Sequence, residues 1–367
     1  MEQYEIEPMA SSYILLEINC KYMKLNVLLL VVVSILSCGS GKSPIPPREM
    51  EKNLPKFYIY GVGGDVTTQV LSGIVLAGGS TDNDDAMRWF LKRANGGDIV
   101  VLRSSGSDGY NKYFYSDLGV DVNTVTSVVI TSREQANTDS LDRVIRRAEA
   151  LFIAGGDQSN YMSYWKGTKV ETAIKYLLED KKITIGGTSA GMAVLSEFCY
   201  TGKNGSATAA QALFNPYHTN ITIEPSFINL PLLKGVITDT HYKERDRQGR
   251  HFVFMARMVQ DMSVQDAKGI ACDEKTAVCV DENGVAHVFG PQAYFLRASI
   301  GSPELCREGQ PLTWNLSGTA IAVDVVPGDT TGSNSFDLRN WQVTVGSNVQ
   351  HEWWSVTEGV LKRVTRP

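Results

Sequence analysis

The chain has 367 residues and carries 35 Lys plus Arg against 40 Asp plus Glu, a formal net charge of −5. Without a basic excess to release counterions from phosphates, this balance excludes a nucleic-acid binder that works by electrostatics. A content of 43% hydrophobic and 20% charged residues fits a packed globular protein and excludes a collagen-like, wholly disordered or polytopic membrane chain.

The first predicted element is a targeting segment. Met23 to Cys38 read MKLNVLLLVVVSILSC, a lysine before an apolar stretch too short to span a bilayer comfortably. Its end, Ile35-Leu36-Ser37-Cys38, resembles the lipobox of bacterial lipoproteins, in which the cysteine is acylated; a plain secretory signal or an uncleaved anchor is the other reading. Residues 1–37 are thus assigned to a signal peptide with an upstream extension, and 38–56 to a tether rich in Gly, Ser and Pro. The expected location is the bacterial cell envelope or the extracellular space, with the membrane reached only through a lipid on Cys38. Beyond the tether stand Cys199, Cys272, Cys279 and Cys306. Export would let some of them pair; otherwise they are scattered buried thiols, and their spacing matches no zinc site.

From Phe57 onward, short β-branched runs alternate with stretches of helical period. Strands are predicted at Gly73 to Ala77, Asp98 to Arg103, Val125 to Ile130, Ala150 to Ala154 and Ile183 to Gly186. Helices are predicted at Asp84 to Asn95, Tyr113 to Leu118, Asp139 to Glu149, Thr168 to Glu179 and Met192 to Cys199. This alternation predicts an α/β fold with a mostly parallel sheet sandwiched by helices. Gly78-Gly79, Gly106, Gly155-Gly156 and Gly186-Gly187 are read as turns after strands, where α/β sheets place their ligands. A strand (Gly235 to Thr238), a helix (Gly249 to Met262) and several short strand-like runs complete one domain over 57–338. Residues 339–367 read as a β-rich C-terminal tail. Thr201 to Pro225, long for a connection, reads as a mobile lid or a surface excursion.

Gly187-Thr188-Ser189-Ala190-Gly191 is a G-x-S-x-G sequence between a predicted strand and a predicted helix. A tight turn there exposes the Ser189 hydroxyl and aims the Ala190 N–H at a developing oxyanion, with the helix dipole in support; the other reading is a serine that merely caps a helix. A serine nucleophile needs a base. Of the five histidines, His241 follows the strand ending at Thr238, whereas His218 and His287 read as loop and strand residues. Arg245, Arg247 and Arg250 follow, suited to holding a carboxylate by forked hydrogen bonds or to forming a solvated charged loop. Glu274, after another short apolar strand, is a candidate to orient the imidazole or an exposed turn carboxylate.

Five segments occur together: Gly78-Gly79-Ser80; Phe152 to Gln158; Gly187 to Gly191; Asp239-Thr240-His241-Tyr242 with the following arginines; and Asp273 to Ala277. In this order they resemble the cyanophycinase branch of the serine peptidases, which also include aspartyl dipeptidases. The resemblance implies a flavodoxin-like or class I glutaminase-like fold with no metal or organic cofactor. It implies Ser189 as nucleophile, His241 as base and then acid, and Glu274 as the residue holding the imidazole. The oxyanion hole would be Ala190 N–H with an N–H of the Gly155-Gly156-Asp157 turn, most directly Gly156. Asp157, Gln158, Asp239, Arg245, Arg247 and Arg250 would line the substrate pocket. Two positions depart from the family pattern: Thr240 stands where a glutamine is usual and Met192 where an alanine is usual, changes that bear on specificity more than on chemistry.

The expected function is that of an exported serine peptidase cleaving cyanophycin-like or β-aspartyl peptides through an acyl-enzyme. A dipeptidase for short α-aspartyl peptides and a non-catalytic binding lipoprotein on the same fold are the alternatives. An acidic or β-aspartyl peptide is the expected partner, no nucleic acid is expected, and a homodimer is compatible with the sequence.

Overall fold

The computed structural model describes residues 54–367; the signal peptide, the tether up to residue 53 and Cys38 lie outside the described residues. The chain begins with β1 (Lys56–Tyr60), β2 (Gly73–Ala77), β3 (Asp98–Arg103), β4 (Thr124–Val129), β5 (Ala150–Ile153) and β6 (Thr184–Thr188). Then come β7 (Phe198–Tyr200), β8 (Ile223–Pro225), β9 (Val236–Asp239), β10 (Lys268–Cys272), β11 (Ala277–Val280) and β12 (Val285–Phe289). The last six are β13 (Gln292–Ala298), β14 (Ile321–Pro327), β15 (Ser335–Asp337), β16 (Gln342–Val345), β17 (Gln350–Thr357) and β18 (Val360–Thr365).

Among the described residues these strands form two sheets, in the orders β1-β4-β3-β5-β6-β2-β11-β12-β15-β16 and β18-β17-β14-β13-β10-β9-β7-β8. The predicted parallel sheet is the segment β4-β3-β5-β6-β2. Its central strands β5 and β6 are wholly buried, as both-sided helix cover requires. The rest departs from expectation. Beyond β2 the first sheet continues antiparallel, and the second is antiparallel apart from β9 with its neighbours β10 and β7. Short links such as β11 to β12 and β17 to β18 leave no room for crossover helices, so they close as antiparallel pairs. Residues 339–367 supply β16 to the first sheet and the β17–β18 hairpin to the second.

The two sheets share a core. Phe295 of β13 stacks on Phe336 of β15 with ring centroids 4.0 Å apart, and Ile270, Cys272 and Val278 pack into the same cluster. Each such fully buried large side chain contributes about 1.5–3 kcal/mol. The four cysteines among the described residues are buried and free, so the buried-thiol reading holds and no pairing forms among them.

Two local expectations are corrected. Gly186-Gly187 lies inside β6, not after it. Added Cβ atoms would come within 2.8 Å of the Phe152 ring and 2.5 Å of the Gly191 backbone, so these glycines mark close packing within a strand. The helix predicted from Met192 to Cys199 is a single turn, Ala190–Ala193. Beyond it the Ser196 hydroxyl donates to the Phe198 carbonyl at 2.8 Å, a local bond that competes with helix, and the chain enters β7. The helices Arg133–Ala136 and Gln158–Trp165 were not anticipated from the pattern.

Gly191 is the tightest point of the motif, since a Cβ there would meet the Ile153 carbonyl oxygen at 2.0 Å. Gly191→Ala is expected to lower stability by about 1–3 kcal/mol through overpacking against backbone. Urea unfolding of the variant checks this, and an unchanged midpoint would refute it.

Candidate active site

β6 sits between β5 and β2, so its carboxyl end is flanked by the turns that follow both neighbours. Ser189 follows β6 directly, with φ 51 and ψ −113, a sparsely populated conformation for a non-glycine residue. Its hydroxyl makes no cap bond to the helix it precedes, which removes the helix-cap reading. Instead Ser189 Oγ lies 3.0 Å from His241 Nε2.

His241 comes from the second sheet. It follows β9, and its backbone N–H donates to the Gly78 carbonyl at 2.9 Å, which ties that strand end to the turn after β2. On the other side of the ring, His241 Nδ1 is 2.6 Å from Glu274 Oε1. A carboxylate can only accept, so Nδ1 carries the proton and Nε2 is left to accept from the serine. Glu274 follows β10, which runs parallel to β9, and that pairing brings the two residues side by side. The hydrogen bond from His241 lowers the Glu274 carboxyl below its ordinary range. Burial lowers the His241 pKa, the bond to Glu274 opposes this, and the charges of Arg245 and Arg247 add to the lowering. The imidazole is therefore neutral at pH 7, as a base must be.

Beside the serine is a cavity of about 270 Å3 whose lining includes Gly156, Asp157, Gln158, Ala190 and Tyr200 together with Asp239, Thr240, Arg245, Arg247 and Arg250. The three arginines are not equivalent. Arg250 is buried and grips Asp239 with both arms, Nε to Oδ2 at 2.7 Å and Nη2 to Oδ1 at 2.5 Å. Its Nη1 donates to Ser206 Oγ and the Ala207 carbonyl. Burial acts to raise the Asp239 carboxyl, but the Arg250 and Arg247 charges overcome it and hold the group below its ordinary value. Arg250 and Asp239 thus satisfy each other and form the pocket wall.

Arg247 commits one nitrogen, Nη1, to the Thr240 carbonyl at 2.8 Å, the Thr240 hydroxyl at 3.2 Å and Asp239 Oδ1 at 3.4 Å, and the remainder of its fork has no partner among the described residues. Burial, aided by its arginine neighbours, brings it down to about 10, which leaves it charged at neutral pH. Arg245 has no side-chain partner among the described residues. Arg245 and Arg247 outnumber the one unpaired carboxylate of the lining, Asp157, so the net free charge facing the cavity is positive, suited to a carboxylate.

Every expected site residue in the described region reaches this site, with differences in role. Ala190 opens the helical turn, where its N–H has no intrahelical acceptor. The Gly155-Gly156 turn abuts the serine, with an added Cβ at Gly155 lying 3.6 Å from Ser189 Cβ. Gln158 Nε2 donates to the Tyr200 carbonyl at 3.0 Å. One oxygen of Asp157 is occupied by the N–H and hydroxyl of Ser159. Thr201 to Pro225 runs from the end of β7 through β8. It holds a helix, Ala209–Phe214, opened by a capping box, and its Thr201, Gly202 and Ser206 line the cavity.

Sequence reading missed what Gly79, Tyr161 and His251 do. An added Cβ on Gly79 would meet His241 Nε2 at 2.5 Å, so this glycine makes room for the serine–histidine contact. Tyr161 Oη donates to the Ala154 carbonyl at 2.9 Å and braces the turn beside the serine. His251, inside the charged segment, is a core residue held between the Tyr242 hydroxyl and the Ile237 carbonyl, and burial brings it down to about 4. The paired glycines after β2 were the one available signal for Gly79.

Residues 74–288 match the model of Peptidase family S51. More than half of the chain lies within that match, and the chain belongs to this family. A cyanophycinase of Synechococcus elongatus is 26% identical over 230 residues, 59% of this chain and 66% of the relative. A cyanophycinase of a Nostoc species is 24% identical over 229 residues, 60% of this chain and 71% of the relative. The chain thus spans just under two thirds of the length of the first of these relatives. The crystal structure of a peptidase from an acI-B1 Actinobacterium superposes with a TM-score of 0.47 at 14% identity, covering 66% of this chain and 93% of that one.

Two expectations follow from the geometry. Replacing Asp239 by Ala strands the Arg250 charge in the interior and is expected to cost about 3–5 kcal/mol of stability, readable by denaturant unfolding; a loss under about 1 kcal/mol, typical of a surface pair, would contradict the buried pairing. Because burial and positive neighbours disfavour the imidazolium, the His241 ring should titrate below about 6.5. Arg245→Ala, by removing one positive neighbour, should move that midpoint upward. An NMR titration of the ring reads both, and an elevated wild-type midpoint would be inconsistent with this account.

Proposed function

We propose that the protein is a serine peptidase that hydrolyses cyanophycin-like or β-aspartyl peptides through a covalent acyl-enzyme. The observation that carries this reading is the unbroken chain from Ser189 through His241 to Glu274, opening onto a cavity whose lining includes Arg245 and Arg247. The names of the relatives support the substrate class.

In this mechanism Ser189 Oγ attacks the scissile carbonyl carbon while its proton passes to His241 Nε2. Glu274 keeps Nδ1 protonated and stabilises the imidazolium that forms. The carbonyl oxygen becomes an oxyanion, with Ala190 N–H and the N–H of the Gly156 turn as donors. Breakdown of the tetrahedral adduct sends the proton from His241 to the leaving amine, leaving an ester on Ser189. Water then attacks that ester, gives one proton to His241 and releases the acid, and His241 returns the proton to the serine. Arg245 and Arg247 hold an aspartyl carboxylate of the substrate during both steps. No step calls for a metal or an organic cofactor.

The test is release of dipeptide from cyanophycin and from β-aspartyl-arginine polymers, beside a panel of short α-aspartyl dipeptides. Ser189→Ala is expected to lower turnover about a millionfold and Glu274→Gln about ten-thousandfold, as in other serine–histidine–acid hydrolases. Undiminished turnover by Ser189→Ala would sink the mechanism. Turnover of α-aspartyl dipeptides alone would move the protein to the dipeptidase class.

A further inference from the structure

Besides Ser189, the residues lining the cavity carry five hydroxyls, those of Tyr200, Thr201, Ser206, Thr238 and Thr240. Three of these use their proton within the protein. Tyr200 Oη donates to the Gly205 carbonyl at 3.1 Å, Thr201 Oγ1 to that of Thr222 at 3.3 Å and Thr238 Oγ1 to that of Met192 at 3.3 Å. Ser206 and Thr240 do the opposite. Ser206 Oγ accepts from Arg250 Nη1 at 3.1 Å, and Thr240 Oγ1 accepts from Arg247 Nη1 at 3.2 Å. Neither O–H has an acceptor among the described residues.

A guanidinium has donors only, so in both contacts the hydroxyl oxygen is the acceptor and its own hydrogen must point away from the arginine. A hydroxyl that accepts from a cation also becomes a stronger donor, because hydrogen bonds in a chain polarise one another. Both groups are held in place. Ser206 is exposed, yet its neighbours are pinned by one side chain: Tyr200 Oη donates to the Gly205 carbonyl and accepts from Ala207 N–H at 2.9 Å. Asn220 Nδ2 donates to the Ser206 carbonyl at 3.2 Å. Thr240 is buried; its N–H donates to Asp239 Oδ1 at 2.9 Å and its carbonyl accepts from Arg247 at 2.8 Å. Asp157, the unpaired carboxylate of the lining, takes its hydrogen bonds from Ser159. The two hydroxyl protons are thus left to whatever occupies the cavity.

We infer that Ser206 and Thr240 are substrate-binding residues, whose hydroxyls, turned by Arg250 and Arg247, donate to a carboxylate of the substrate. A carboxylate offers about four lone-pair sites on two oxygens, more than one guanidinium fork fills. The free arginines supply charge and the hydroxyls supply direction. Together they make a patch of donors without a matching acceptor, which favours an acceptor-only anion and disfavours a group that brings its own N–H, such as a carboxamide. The assignment rests on the proposed serine-peptidase reading and adds to it two specificity-determining residues that lie outside the triad.

Ser206→Ala and Thr240→Val each delete one hydroxyl and leave the arginines partnered: Arg250 keeps Asp239 and the Ala207 carbonyl, and Arg247 keeps the carbonyl of residue 240. The measurement is steady-state turnover of β-aspartyl-arginine peptides with their carboxylates free or converted to carboxamides. Labelling of Ser189 by a fluorophosphonate probe, which needs the triad but not the peptide pocket, is read alongside. In each variant KM for the free acid is expected to rise about ten- to a hundredfold, the scale of a lost hydrogen bond to a charged group, while kcat is held. The preference for carboxylate over carboxamide should shrink by a similar factor. Ser206→Thr and Thr240→Ser keep a hydroxyl and should restore most of the affinity. An unchanged KM in both Ser206→Ala and Thr240→Val would overturn the inference, whatever happens to Tm. A raised KM that the hydroxyl-bearing variants fail to restore would assign the effect to shape and overturn it as well. Should Thr240→Val fail to fold, Ser206→Ala at its exposed position decides. A wild type that is labelled and active beside indifferent variants removes this inference alone; a wild type that is neither labelled nor active overturns the serine-peptidase reading and the inference with it.

Discussion

The constraint on which the rest depends is the narrow meeting of two sheets at Gly79. One sheet brings Ser189 at the end of β6; the other brings His241 and Glu274 at the ends of β9 and β10. Neither sheet alone holds the chain of hydrogen bonds. They meet across the turn after β2, where φ of Gly79 is 96 and the space a side chain would fill is already taken by the imidazole. Glycine satisfies both demands at once, since it alone adopts this backbone without strain and leaves the gap open. The shared aromatic core, with Phe295 on Phe336, keeps the sheets at the separation this contact needs.

The electrostatics of the site follow from how the arginines divide their work. A buried guanidinium without a partner would be expelled or would demand a counter-ion. Arg250 has Asp239, so its charge is spent inside the wall, beside the stacked rings of Tyr200 and Phe254. Arg247 is only partly committed and Arg245 not at all. The outcome is a local positive field that both attracts carboxylates and disfavours a second positive charge on His241. Substrate preference and the protonation state of the base thus share one cause.

Much of this was legible in the residues themselves. Apolar runs such as Ala150 to Ile153 could hardly be anything but buried parallel strands, and G-x-S-x-G marked the elbow because its small residues have no other reason to cluster there. The acid Glu274 was reachable only as a strand-end carboxylate, because what makes it the partner of His241 is the parallel pairing of β9 with β10, a contact between segments 33 residues apart. The second sheet was illegible for the same reason: antiparallel hairpins after residue 277 look locally like any short strands, and their order is decided by long-range packing. The short helix after Ser189 shows local preference losing to tertiary demand. Met192 to Cys199 has helical composition, yet the chain must turn at once to reach β7. The division among the arginines was equally hidden, since it depends on which of them finds Asp239.

The four free, buried thiols carry a consequence of their own. Cys199, Cys272, Cys279 and Cys306 are each buried and none forms a disulfide, so the architecture of residues 54–367 owes nothing to sulfur cross-links. Such a body reaches its native shape without oxidant or isomerase and keeps that shape when reductant is present. The folding of residues 54–367 therefore places no demand on the redox poise of the surroundings.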